Sequence, residues 1–141
     1  MFSKACEYGL RAAIYIAGQS AQGQRASLKD IAREANAPVA FTAKILQTLS
    51  RSGIIHAAKG PGGGYDMGGG QAHLARVVKA IDGPDVYRGC GLGLKKCDAS
   101  CPCPIHYKFE HIREGLREML EYTVISDLAG RVEDGEACLR R

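Results

Sequence analysis

No apolar run in the 141-residue chain approaches the ~18 residues that a membrane-spanning helix needs. Glu7 and Arg11 interrupt the first twenty residues where a signal peptide would need an unbroken apolar centre. These absences argue against membrane and secretory roles and set the expectation of a cytoplasmic protein with no membrane partner. Cys-x-x-Cys is also missing: Cys101-Pro-Cys103 is one residue short, and no strand-helix-strand pattern surrounds it, which argues against a small thiol oxidoreductase. The glycine run at 60–64 is no dinucleotide fingerprint, because no strand leads into it and no helix leaves it. With no catalytic constellation, the chain is expected not to be an enzyme.

Charge is present but unevenly spread. Residues 1–79 hold ten Lys and Arg against four Asp and Glu, a balance of +6, whereas residues 80–141 hold nine against eleven, a balance of −2. The basic half is the one to inspect for a polyanion, although basic charge alone gives only sequence-independent attraction to phosphates.

That half reads as helices followed by a hairpin. Ala5, Tyr8, Ala12, Tyr15 and Ile16 recur at helical spacing, predicting an amphipathic helix over Lys4–Ala17 and a polar loop from Gly18 to Ala26. Ser27 stands three residues before Asp30, the pattern in which each side chain satisfies the other's free backbone N–H at a helix start, so a short helix should begin at Leu28 and run to about Ala35. Asn36 suits the left-handed turn that ends it. Pro38 suits the first position of the next helix, expected to run to about Ser52 before Gly53, with Phe41, Ile45, Leu46 and Leu49 as its apolar face. Two short helices joined by a tight turn form a helix-turn-helix, whose second member lies in the DNA major groove. An ordinary helical hairpin fits the same periodicity, but a strand over Ile54–Ala57, a glycine turn after Lys59 and a return strand over Tyr65–Met67 make a wing. There Lys59 and the turn's amides would meet phosphate or the minor groove.

A helix over Ala72–Ile81, ending at Gly83-Pro84, leads to the densest chemistry in the chain. Four of its six cysteines, Cys90, Cys97, Cys101 and Cys103, crowd into one stretch that His106 closes. In a reducing compartment such a cluster reads as metal-binding or redox-active. Cys103 precedes Pro104 at an expected helix start, where the dipole lowers a thiol's pKa, and Lys95 and Lys96 add cations. Ligand type and spacing favour an iron-sulphur cluster, and Gly91 and Gly93 would let the loop fold around that compact inorganic core and offer N–H groups to its sulphides. Structural zinc takes the same ligand types, though zinc cysteines are usually spaced two to four residues apart, and a metal-free thiol switch through Cys90 or Cys97 is a further alternative. Beyond the loop, Ile105, Phe109, Ile112, Leu116, Met119 and Thr123 form a heptad seam on a helix expected from Pro104 to about Asp127, long enough to want a second copy as partner. The tail from Gly130 is expected to be polar and poorly ordered. Cys6 reads as a small buried hydrophobe, and His56, His73 and His111 as surface residues.

Taken together, the Lys4–Arg11 helix, the stretch Pro38–Gly53, the Lys59–Tyr65 wing and the Cys90/Cys97/Cys103-Pro-Ile-His106 pattern resemble the Rrf-two (Rrf2) family of bacterial transcription regulators, over Phe2 to about Leu128. The resemblance implies a mainly α fold with a small β wing, a winged helix-turn-helix with a long C-terminal dimerisation helix. The divisions are a DNA-binding domain at 1–83, a cysteine-rich sensor loop at 84–103, a dimerisation helix at 104–128 and a polar tail at 129–141. It implies a homodimeric repressor whose affinity for a double-stranded DNA operator is switched by an iron-sulphur cluster, [2Fe-2S] rather than [4Fe-4S], held by Cys90, Cys97, Cys103 and His106. Cys101 is an additional thiol that could replace Cys103 or His106, and in some members an acidic residue from the partner's first helix completes the site, which corresponds to Glu7 here. The DNA-facing residues would be Lys4 and Tyr8 on the first helix, Ser27, then Val39, Ala40, Phe41 and Lys44 on the recognition helix, with Lys59, Gly60, Pro61 and Tyr65 on the wing. Ala43 stands where some members carry a base-reading glutamate, so an operator sequence cannot be borrowed.

Overall fold

The computed structural model describes every residue except Gly69, so the middle of the run 68–70, which the sequence suggests as a separator between the wing and the next helix, lies outside the described residues. Helix α1 (Lys4–Ala21) is capped by Ser3, whose Oγ accepts the Cys6 N–H, and it carries the central buried stripe Cys6, Ala12, Ala13, Ile16 and Ala17. It continues four residues past the expected Ala17. Gly18 is buried there against Ala129 and Glu133, so tertiary packing overrides the weak helix propensity of glycine.

Helix α2 (Leu28–Glu34) begins as expected, with Ser27 Oγ accepting the Asp30 N–H at 3.1 Å, a cap that contributes about 1 kcal/mol. Only half of the expected reciprocal box forms, because the Asp30 carboxylate pairs with Arg33 at 3.0 Å. Asn36 adopts φ 52°, the left-handed turn, and Pro38 caps α3 (Val39–Arg51) rather than occupying its first position. Ile45, Leu46 and Leu49 are buried as expected. Phe41, assigned to the same face, is 37% exposed, and Thr42 fills the core position instead, with its hydroxyl donating to the Pro38 carbonyl. A polar residue can be buried there because that bond satisfies it.

Strands β1 (His56–Ala58) and β2 (Gly64–Asp66) pair antiparallel with Ala57 opposite Tyr65, each shifted slightly from its expected span. Ile54 and Ile55 are core residues ahead of the strand rather than part of it. Ala26 and Tyr65 exchange two backbone hydrogen bonds of 2.8 Å, which tie the segment before α2 to the wing.

Helix α4 (Leu74–Asp82) buries Leu74, Val77 and Val78 and reaches α1 where Gly9 has no Cβ to obstruct Ile81. Each fully buried aliphatic side chain contributes roughly 1.5–3 kcal/mol. The Asp82 carboxylate accepts from the N–H and hydroxyl of Ser3, joining the end of α4 to the start of α1. Cys6 lies beneath this junction, fully buried, as expected of a small hydrophobe. Burial, with the Asp82 charge and hydrogen bond second, pushes its thiol up to about 12. Unfolded, that thiol ionises near its ordinary 9.0. Stability should therefore be fully present below 9 and fall between pH 9 and 12, by at most roughly 1.4 kcal/mol per pH unit from this group. Urea unfolding across that window measures it, and Cys6→Ala should remove that part of the slope.

The C-terminal third differs most from expectation. After a short 3-10 turn (Pro84–Tyr87) and the cysteine loop, α5 spans His106–Tyr122 and stops. The β-branched pair Thr123-Val124 leaves the helix. The Thr123 carbonyl accepts from Leu74, the Ile125 N–H donates to Ala72, and Val124 bridges His73. A separate α6 (Ile125–Glu133) follows, burying Ile125 and Ala129 along α1. The single helix expected to reach Asp127 is thus two, and part of the expected polar tail is core-forming. No described helix is long and apolar enough to cross a membrane.

Candidate functional site

On α3, the side opposite the buried Ile45, Leu46 and Leu49 leaves Val39, Ala40, Phe41 and Lys44 exposed. Phe41 meets Tyr8 of α1 edge to face, ring centroids 5.7 Å apart. Lys4 and Arg11 stand 5.9 and 5.2 Å from the centroid of the Tyr8 ring. These contacts join the start of α1 to the start of α3 as one ridge of cations and aromatics.

The wing supplies the other part of the face. Lys59, Gly60 and Pro61 are exposed at its tip, where Gly60 (φ 83°) and Gly62 (φ 72°) take the conformation expected of the turn, and Tyr65 is half-buried at its root. Arg25 holds the wing in place, with Nε donating to Asp66 at 3.0 Å and Nη1 to the Gly62 carbonyl at 3.2 Å. Sequence reasoning missed Arg25, which sits in the expected polar loop with no local signal. Ser27 is exposed, but its hydroxyl accepts the α2 cap.

The cysteine loop resolves into two pairs. Cys90 and Cys103 bring their sulphurs to 3.9 Å, and Cys97 Sγ lies 3.4 Å from His106 Nδ1. Two ligands on one tetrahedral metal are separated by ~3.8 Å for two thiolates and ~3.6 Å for a thiolate and an imidazole, from ordinary metal–sulphur and metal–nitrogen bond lengths. His106 is buried, and its Nε2 has no protein partner. That nitrogen lies on the far side of the ring from the Nδ1 that faces Cys97. Among the described residues no three His, Cys, Asp or Glu side chains converge on one point. Cys101 is exposed and outside both pairs, and Glu7 forms an ion pair with Lys4 at 3.2 Å on its own helix. The donor types, three thiols and an imidazole, are ones that an iron-sulphur cluster takes.

Distant residues shape this loop. Gly91 is pressed against α5, where a Cβ would lie 2.9 Å from the Phe109 ring and 3.0 Å from Ile105. Arg113 Nη1 donates to the Gly89 carbonyl at 2.8 Å. Asp98 accepts from the N–H and hydroxyl of Ser100 at 2.9 and 2.6 Å, and these bonds hold its carboxyl below the ordinary range. Helix α5 begins at His106 rather than Pro104, so Cys103 precedes the helix and its capping residue Ile105.

The thiol that the fold acidifies is Cys90. The backbone N–H groups of Leu92 and Leu94 lower its pKa most, with smaller help from Cys103 and Arg113. In metal-free protein at neutral pH, Cys90 should be alkylated by iodoacetamide ahead of the exposed Cys138, and Cys6 last, as read by peptide mass spectrometry. Equal rates at Cys90 and Cys138 would contradict that assignment.

A helix-turn-helix with an antiparallel hairpin directly behind it defines a winged-helix DNA-binding protein. A family model described as "Iron-dependent Transcriptional regulator", Rrf2, matches residues 2–131, and the chain belongs to that family. A protein of Aquifex aeolicus described as a helix-turn-helix-type transcriptional regulator is 27% identical over 132 residues, 91% of this chain and 90% of that one. The transcriptional regulator IscR of Cronobacter sakazakii is 26% identical over 129 residues, 89% of this chain and 78% of that one. In structure the chain is similar to CymR, the global cysteine regulator of B. subtilis, with a TM-score of 0.75 and 22% identity over 92% of this chain and 96% of that one. The chain is a transcriptional regulator, not an enzyme.

Proposed function

We propose that the protein is a cytoplasmic, homodimeric repressor whose affinity for a two-fold DNA operator is switched by a [2Fe-2S] cluster on Cys90, Cys97, Cys103 and His106. The observation that carries this is the pairing of those four side chains, at 3.9 and 3.4 Å, in a loop placed directly before α5. Two pairs suit a two-iron core better than a single zinc, which would draw all four donors to one point. When bound, the cluster would supply a redox-sensitive, acid-labile crosslink between the loop and the start of α5. Cys90 would enter as a thiolate held by backbone N–H groups, and His106 would contribute its buried imidazole. The partner subunit's Glu7 is the alternative fourth ligand.

The DNA face would be the ridge of Lys4, Tyr8, Val39, Ala40, Phe41 and Lys44, with Ser27 beside it and the wing residues Lys59, Gly60, Pro61 and Tyr65. Dimerisation would use the exposed seam of α5, where Ile112 is 58% and Met119 49% exposed. Ile112→Glu should give monomers by sedimentation velocity without loss of helical signal, because the side chain supports no core within one chain. The cluster would fix the loop relative to this seam, and so the spacing of the two recognition helices.

A metal-free thiol switch is the second reading, favoured by the Cys90–Cys103 proximity. Two thiols would give up two electrons and two protons to an oxidant and close a disulfide. Fluorescence anisotropy on a promoter fragment, comparing cluster-loaded protein with Cys97→Ala, tests the switch. A tenfold or larger difference in affinity is expected. Equal affinities would remove the cluster from control of DNA binding.

A further inference from the structure

A second site lies against the cysteine loop, apart from the DNA face and sharing only Cys97 with the proposed cluster ligands. A cavity of about 680 Å³ opens between the segment after the 3-10 turn, the cysteine loop and α5. Its walls carry Arg88, Lys95, Lys96 and Arg113 against the single carboxylate of Asp85, with Cys97 on one side. The volume is in the range of small-molecule sites, and the opening leaves the rim cations accessible to a ligand from solvent.

Gathering four cations around one space is unfavourable unless something offsets their repulsion. Protein carboxylates do so weakly here. Asp85 reaches Arg88 only at 4.0 Å between largely exposed side chains, and Asp98 reaches Lys96 at 3.8 Å. Lys95 has no carboxylate within ion-pair distance among the described residues. Arg113 is different in kind, since it is fixed in place. One Nη is bonded to the Gly89 carbonyl, the guanidinium stands 5.7 Å from the Phe109 ring centroid, and its Nε is buried without a partner. A guanidinium held this way loses little freedom when it grips an oxyanion.

We propose that this cavity binds a small polyanion with two or more oxyanion groups, gripped by Arg113 at the inner wall and by Arg88, Lys95 and Lys96 around the rim. In the metal-free protein such a ligand joins the cysteine loop to α5 and covers Cys97. A polycarboxylate and a pyrophosphate-type compound share this chemistry, and the probes separate them.

Calorimetry on full-length, metal-free protein at low ionic strength, titrated with citrate and separately with pyrophosphate, is the test. At least one probe is expected to saturate at one site per chain. Arg88→Ala/Lys95→Ala, which leaves the Arg113–Gly89 bond in place, should weaken it tenfold or more while the thermal unfolding midpoint holds. Lys44→Ala/Lys59→Ala, on the helix-turn-helix and wing, should leave it unchanged, and the bound probe should slow Cys97 alkylation. Binding by citrate alone assigns a polycarboxylate, and by pyrophosphate alone a phosphoryl compound. Absence of saturable binding by both would overturn the proposal, as would equal weakening in the two double variants. Loss of duplex binding in Arg88→Ala/Lys95→Ala as large as the loss of probe binding would also overturn it, assigning the patch to nucleic acid.

Discussion

Ile125→Ala should lower unfolding free energy by about 2–5 kcal/mol, a large share of the ~5–15 kcal/mol that holds a domain of this size together. Ile125 has no exposed surface and stands at the first turn of α6, in the same buried cluster as Leu120 near the end of α5. Its own N–H is bonded to the Ala72 carbonyl at 2.8 Å, so the backbone has little freedom to close the cavity that truncation would leave. The bend at Thr123-Val124 exists to deliver this side chain to the core. Urea unfolding reads the effect as a lowered midpoint at unchanged slope. Tyr122→Ala, at a side chain 77% exposed only three residues earlier, should change stability by less than about 0.5 kcal/mol.

The second large effect concerns DNA. Lys44→Glu should weaken binding to a duplex operator by on the order of a hundredfold or more, since each phosphate or base contact of a recognition helix contributes about 1–3 kcal/mol and the proposed dimer would lose two of them. Lys44 is exposed on α3 beside Phe41, on a helix whose opposite side is locked into the core by Ile45, Leu46 and Leu49, so the substitution should not disturb folding. The salt dependence of the residual affinity should also become shallower, because fewer counterions are released. Anisotropy titrations over a range of salt concentrations read both changes. Full retention of affinity would take α3 out of the DNA interface.

Both variants bear on how much the chain reveals before it folds. The helix-turn-helix was legible because its signals are local: the Ser27 hydroxyl at a cap, Asn36 in a left-handed turn, Pro38 where a backbone N–H is dispensable. The wing was legible through Lys59 and its glycines, but Arg25, which clamps it, acts across forty-one residues to reach Asp66 and leaves no trace in local pattern. The α5–α6 bend was hidden for the same reason. Ile125, Leu128, Ala129 and Val132 do have helical spacing, yet the heptad seam ran through Thr123 and joined them to α5. Only the bonds from residues 72–74 to 123–125 break the helix there. In the cysteine loop the candidate ligands were legible as residue types. Their pairing was not, because it depends on Gly91 meeting Phe109 and on Arg113 meeting Gly89, both contacts from α5. Cys103 lies outside the first turn of α5, because the helix starts two residues after the expected Pro104.

The two pairs in this loop are proposed to hold a two-iron cluster. Iron and acid-labile sulphide analysis of anaerobically purified protein, with visible absorption and electron paramagnetic resonance after reduction, tests it most directly. About two irons and two sulphides per chain are expected, with charge-transfer bands that disappear in Cys90→Ser and Cys97→Ala but persist in Cys101→Ala. One zinc per chain with a featureless visible spectrum, or bands that survive the loss of Cys90 and Cys97, would contradict it.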